Sequence, residues 1–310
     1  MQIILVLVAA ILGLTYGYNT EGLQFTSKIC LFAGVTLIMP TLFNVKLKDI
    51  KLILTHKKII FKSLVVNFIA LPALALAIGL ATKDFGIAAG VFALSVLSGG
   101  GMVMYWVKKT DSNTSLGFIL LFINIIFISL SLLMLHLFAV YTEGYFGEFY
   151  ADSNNSLTGF ANAVILYLIV VPLILSRILI FMTPVVNFIN KYRPIISNVS
   201  IFIIITFLFA LQNSQLLFEV YDFEPELIAM SFYAISAFYI GNFLIAKFTF
   251  DISDPEERSA FWFTTTRYIT LALIIASFSI ASFGVTMLIP IMMSYLIQIP
   301  FAIFYAKYVK

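Results

Sequence analysis

The sequence predicts an all-α membrane protein, with ten transmembrane helices arranged as two inverted repeats of five. Three observations predict it. The 310 residues are 62% apolar and 11% charged, with a mean hydropathy of +1.06, too few polar groups to coat a water-soluble core. The apolar residues fall into ten runs, most of them close to the roughly 20 residues that cross a bilayer. Two of those runs, the fourth of each half, are interrupted in the middle.

The first segment, 2–17, has no basic stretch before it and reads as a span rather than a secretory leader. The second, 27–44, holds Cys30, the one cysteine of the chain, which has no partner for an internal disulfide and fits no metal-site spacing. The third, 60–82, carries Asn67 and Pro72. Ser98-Gly99-Gly100-Gly101 interrupts the fourth, 85–107, and the fifth, 115–141, holds Asn124, Ser129 and His136. A polar loop, 141–157, then separates the halves. The sixth segment, 158–182, is long enough to tilt or to continue along the membrane surface. The seventh, 194–217, and the eighth, 225–247, carry Asn213 and Asn242. Thr264-Thr265-Thr266-Arg267-Tyr268-Ile269-Thr270 interrupts the ninth, 259–282, and the tenth, 284–307, holds Pro290, Gln298 and Pro300. Pro72, Pro172, Pro290 and Pro300 are expected to kink their helices.

The loops set the orientation. Lys46, Lys48, Lys51, Lys57, Lys58, Lys62, Lys108, Lys109, Lys191, Arg193, Lys247, Arg258, Lys307 and Lys310 all fall on one side of a ten-span count. The other side holds Lys28 and Lys83 among Glu143, Glu148, Asp152, Glu219, Asp222, Glu224 and Glu226. By the positive-inside rule both termini are cytoplasmic, in a multi-pass protein of the cell membrane. An odd number of helices per half inverts the second half relative to the first. Val66-Asn67-Phe68-Ile69-Ala70 in the third segment finds a short echo in Gly241-Asn242-Phe243-Leu244-Ile245-Ala246 in the eighth. The reading is a single membrane domain over 1–310, with repeat one at 1–150 and repeat two at 151–310.

A helix opens within a bilayer only where its freed backbone groups meet protein or line a cavity. Paired interruptions in corresponding halves point to a transporter's binding site. Three glycines free the backbone at the first break, although small residues also serve close helix packing. The threonine hydroxyls at the second break suit a cation or a polar solute, or else bond to the preceding turn. Arg267 lies about eight residues into its segment, roughly 12 Å at 1.5 Å per residue. A guanidinium at that depth either binds an oxyanion or serves structure and gating. Zinc-binding histidine pairs, phosphate-binding glycine loops and nucleophile elbows are absent from the sequence, so no enzyme is indicated. A net charge of +3, spread over loops, indicates no nucleic-acid partner. The partners implied are the lipid bilayer and a small-molecule solute, and no obligatory protein partner is evident.

Several stretches resemble the bile acid:sodium symporter superfamily, which includes the arsenite efflux permeases. They are Met39-Pro40-Thr41-Leu42-Phe43-Asn44-Val45, Asn67-Phe68-Ile69-Ala70-Leu71-Pro72, Gly101-Met102-Val103-Met104-Tyr105-Trp106 with Asn124 beyond it, Tyr268-Ile269-Thr270-Leu271-Ala272 and Gln298-Ile299-Pro300. The resemblance implies a panel and a core, with helices 4 and 9 crossing at the site. It also brings departures. Gly99 stands where the arsenite branch carries a thiol, and Thr270 and Gln298 where it carries glutamates. The bile-acid branch holds sodium with a Ser-Asn pair on helix 4 and a carboxylate on helix 9. This chain offers Met102-Val103 and the stretch from Phe263 to Tyr268 there, which argues against a two-sodium site and against soft-metalloid chemistry.

The expectation is a secondary active transporter of a small, anionic organic solute, working by alternating access. Its substrate-binding residues would be Gly99, Gly100, Gly101, Asn124, Arg267, Tyr268 and Thr270. Its ion-binding candidates are Thr264, Thr265, Thr266 and Gln298, and no cofactor is expected, with sodium the one candidate ion and the missing carboxylate speaking against it. A proton-driven efflux permease for arsenite or a metabolite, and a non-transporting membrane sensor, are the alternatives.

Overall fold

The computed structural model describes residues 2–20, 28–43, 52–100, 103–147, 165–214 and 225–307. All regular structure among them is helical, apart from one isolated antiparallel bridge between Ser98 and Arg267. In chain order the helices are α1 (Gln2–Asn19), α2 (Lys28–Leu42), α3 (Lys57–Thr82), α4 (Phe85–Val96), α5 (Val103–Lys109), α6 (Thr114–Ile126), α7 (Ile128–Phe146), α8 (Val171–Leu179), α9 (Thr183–Ser214), α10 (Pro225–Thr249), α11 (Pro255–Thr265), α12 (Ile269–Phe283) and α13 (Leu288–Tyr305).

Four helical stretches among the described residues are long and apolar enough to cross a membrane: Lys57–Thr82, Ile128–Phe146, Pro225–Thr249 and Val285–Tyr305. A fifth is made if α8 and the start of α9, bent by 120° at residues 180–182, count as one span. Several of the other expected segments divide or start elsewhere for identifiable reasons. The fourth and ninth open at their polar interruptions. The fifth turns at Phe127 between α6 and α7. The seventh begins at Thr183 rather than 194, because Pro184 opens the helix in its first turn, where a missing N–H costs nothing. Gly101 and the Asn154-Asn155-Ser156 stretch of the dividing loop lie outside the described residues.

Pro72 and Pro172 take a form the sequence did not signal. Each follows a π-helical turn, Val66–Ala70 in α3 and Leu166–Val170 before α8. The wider turn gives the pyrrolidine ring the room that an α-helical turn denies it. α3 therefore continues through its proline as one helix.

The chain gathers into two compact units, and each draws on both halves of the sequence. One comprises 1–44, 152–229 and 273–281, the other 45–151, 230–272 and 282–310. Within the first, α1 and α2 pack against α9, and the Thr36 and Ser200 hydroxyls meet at 2.7 Å. Outward-facing Ile4, Leu7, Val8, Ile11 and Leu12 give α1 an apolar exposed face, as expected of a helix whose solvent is lipid.

The second unit is built around α4, every residue of which is buried. A helix apolar all round belongs in an interior, and here small residues bring its neighbours close. A Cβ on Gly79 of α3 would lie 2.9 Å from that of Ala88. One on Gly90 would lie 2.5 Å from the Met287 carbonyl at the start of α13. The turn from α3 to α4 closes with Lys83 in the left-handed region and the Asp84 carboxylate accepting from the Ile87 N–H. Asn113 and Asp254 cap α6 and α11 in the same way. At this end Trp262 Nε1 donates to Thr110 Oγ1, Arg258 donates to the Thr110 carbonyl, and Lys62 pairs with Glu257 at 2.7 Å. These contacts anchor α11 to the α5–α6 turn and to α3, and so fix the two breaks against one another.

Candidate functional site

α4 ends at Val96, before the glycines, and α11 ends at Thr265. A helix end leaves its last carbonyls without intrahelical donors, and inside a bilayer no water supplies them. The two ends answer part of this need together. Gly99 N donates to the Thr266 carbonyl at 2.9 Å, and Tyr268 N to the Leu97 carbonyl at 3.0 Å. A single rung of β structure thus joins the two breaks in the middle of a helical unit.

Glycine is needed for this approach at two positions. Gly99 has φ +37°, in the left-handed region that disfavours side chains, and a Cβ there would sit 2.5 Å from the Phe263 ring. A Cβ on Gly100 would sit 2.6 Å from the Tyr268 ring. The glycines therefore both open the helix and admit the aromatic rings of the opposite break.

Arg267 is 2% exposed and points into the unit rather than along it to the surface. Its Nε donates to the Leu94 carbonyl at 2.9 Å and its Nη2 to the Ser95 carbonyl at 2.9 Å, both at the end of α4. Its Nη1 donates to the Thr264 carbonyl at the end of α11 and to Asn67 Oδ1 in the π turn of α3, at 2.9 and 2.8 Å. The fork thus makes four hydrogen bonds, all to uncharged oxygens. Gln298 from α13 holds the same residue by its backbone. Its Oε1 accepts from the Arg267 N–H at 2.6 Å and from the Tyr239 hydroxyl at 2.8 Å, and its Nε2 donates to the Arg267 carbonyl.

The threonines divide. Thr265 and Thr266 spend their hydroxyls on the Phe261 and Trp262 carbonyls, one turn back. Thr264 Oγ1 is buried and has no partner among the described residues. Thr270 meets the Tyr295 hydroxyl at 3.1 Å.

Beside the rung lies a narrow cleft of about 10 Å³, room for about one water, lined by Phe68 of α3, Val96 to Gly99, Asn124 and Ile125 of α6, Ile128 and Ser131 of α7, and Tyr268 and Leu271. Ser131 closes its own bond, to the Val96 carbonyl at 2.8 Å. Ser98 Oγ and Asn124 Nδ2 are buried in this wall with no partner among the described residues. Such groups are uncommon in a native interior and need a reason.

Of the residues singled out from the sequence, Gly99, Asn124 and Tyr268 line the cleft and Gly100 packs on the Tyr268 ring. Arg267, Thr264 and Gln298 form the latch behind the rung, while Thr265, Thr266 and Thr270 are bonded within the protein. Ser98 and Ser131, which border the cleft, were not among them. Ser98 was legible as the one hydroxyl beside three glycines, whereas nothing local marks Ser131.

The family model described as the Sodium Bile acid symporter family matches residues 29–218, more than half of the chain and inclusive of the glycine break. The threonine–arginine break lies beyond the matched stretch. No curated protein matches the sequence.

Proposed function

We propose a transport function for this chain, which belongs to the sodium bile acid symporter family: it is a secondary carrier of a small organic anion, working by alternating access in the cell membrane. The observation that carries this reading is the pair of unpartnered polar groups, Ser98 Oγ and Asn124 Nδ2, in a cleft beside two joined helix breaks. Unsatisfied buried groups cost free energy, and a site that releases its cargo in every cycle must tolerate that cost when empty.

The chemistry of the wall favours an acceptor-rich solute. A serine hydroxyl and an amide NH2 both donate. Tyr268 and Leu271 bring the start of α12 to the same cleft, and a helix N-terminus carries about half a positive charge. A carboxylate or similar oxyanion meets all three. The cleft has room for about one water, about 10 Å³, so on this reading a solute enters only when its walls part during the cycle.

Each compact unit draws on both halves of the sequence, as two interleaved repeats would, while the ten spans in two inverted repeats rest on the count of apolar segments. Loop charges support cytoplasmic termini. The test is uptake of labelled small carboxylates by proteoliposomes, comparing the wild type with Asn124→Asp. A carboxylate at that position repels an anionic cargo and should lower its uptake at least tenfold. Equal uptake by both proteins, or a wild type that moves no anion, defeats the reading.

A further inference from the structure

The seat of Arg267 has the composition of a monovalent cation site. Four oxygens surround the guanidinium: the Leu94, Ser95 and Thr264 carbonyls and Asn67 Oδ1. Neutral carbonyl and amide oxygens are ligands that hard cations accept, and the C-terminal ends of broken helices are where transporters hold coupling ions. The charge count agrees. Two helix ends converge on the seat, and each carries about half a negative charge. Together they balance one positive charge, and among the described residues no acidic side chain contacts Arg267. Without a cation the converging dipoles would face one another uncompensated.

We propose that Arg267 is a tethered cation, permanently filling a seat that a mobile ion would otherwise occupy, so that this seat takes up no sodium during transport. The proposal rests on the carrier reading for its meaning in the cycle, but its chemistry stands apart from any cargo. The side chain is fixed by its own backbone, which Gln298 clamps on both the N–H and the carbonyl. Its charge stays with the protein whatever gradient lies across the membrane. Removing the side chain should leave four oxygens and two helix ends that a small free cation can serve.

Thermal stability of the purified protein tests this without a known cargo. In equal concentrations of sodium, potassium or choline chloride the wild type should unfold at the same temperature. Arg267→Ala should unfold several degrees lower in choline, and should recover saturably with sodium or with millimolar guanidinium. Adding Asn67→Leu to it should abolish the recovery, because one ligand is gone. Saturable stabilisation of the wild type by sodium, or an alanine variant that no cation rescues beyond choline, overturns the proposal. Should Arg267→Ala fail to fold, Arg267→Lys against Arg267→Met gives the answer. The lysine keeps a tethered charge and should lose less stability than the uncharged chain of similar length, and equal losses overturn the idea. In proteoliposomes wild-type uptake should be the same with and without a sodium gradient. A wild type that transports nothing defeats the carrier reading and leaves the stability result to decide the cation seat.

Discussion

The two breaks hold each other's backbone yet treat their own polar groups in opposite ways. At the glycine break α4 contributes carbonyls and no charge, and leaves Ser98 Oγ without a partner among the described residues, beside a narrow cleft. At the threonine–arginine break almost every group is engaged. The guanidinium, Gln298, Thr265 and Thr266 together make at least nine hydrogen bonds within the protein. Symmetry of sequence position has not produced symmetry of role. On the proposed carrier reading, one break is left receptive to solute and the other supplies the charge and the rigidity behind it. A binding site in lipid needs both, since a receptive backbone with nothing behind it would close into continuous helix.

The largest effect should come from filling the space through which the breaks approach. Gly99→Val places a branched side chain at φ +37°, where its Cβ alone would meet the Phe263 ring at 2.5 Å. Left-handed strain of about 1–2 kcal/mol adds to overpacking of about 1–3 kcal/mol, for a loss of about 2–5 kcal/mol. Hydrogen exchange should show the Gly99 and Tyr268 amides losing protection as the rung opens. Retained protection there would mean that the rung is held by the helices around it, and not by the glycine.

Next in size should be Gln298→Leu, on the other side of the comparison. The substitution removes one acceptor and one donor that serve the Arg267 backbone and the Tyr239 hydroxyl. Three bonds at about 1 kcal/mol each, with buried groups orphaned, predict a loss of about 3 kcal/mol. Denaturant unfolding of the detergent-solubilised protein measures it. A loss below about 1 kcal/mol would show that the guanidinium holds the second break without the clamp, and would shift the rigidity to the α4 carbonyls.

This division of labour was only partly legible in the sequence. The interruptions at residues 98–101 and 264–270 were visible because glycines and charge are rare inside apolar runs. The breaks fall where those residues stand, although α4 already ends at Val96. Partnership was not visible. Arg267 finds its acceptors 172, 173 and 200 residues away, and nothing local tells a guanidinium which carbonyls a distant helix end will leave free. The threonines show the same limit. Three adjacent hydroxyls look alike in sequence, but two bond back to their own helix and one is left alone, according to which way each faces. The π turns before Pro72 and Pro172 were hidden for another reason. A proline announces trouble for an α-helix without saying whether the chain bends or widens to relieve it.

The smallest effect on stability should come from Ser98→Ala, and it sharpens the comparison most. Ser98 is 5% exposed and its hydroxyl has no partner among the described residues, so removing it orphans none of their groups. Stability should hold within about 0.5 kcal/mol or rise slightly, because an unsatisfied polar group is no longer buried. Ser131→Ala, one wall away, makes the contrast. That hydroxyl serves the Val96 carbonyl at 2.8 Å, and its loss should cost about 1 kcal/mol. If the receptive break is held open for a cargo, the two serines should trade places in a transport assay. Ser98→Ala should raise KM for the transported anion severalfold at unchanged stability, whereas Ser131→Ala should lower stability with little change in KM. A Ser98→Ala protein with wild-type KM would leave the unpaired hydroxyl without a functional reason, and the difference between the breaks would then be one of packing alone.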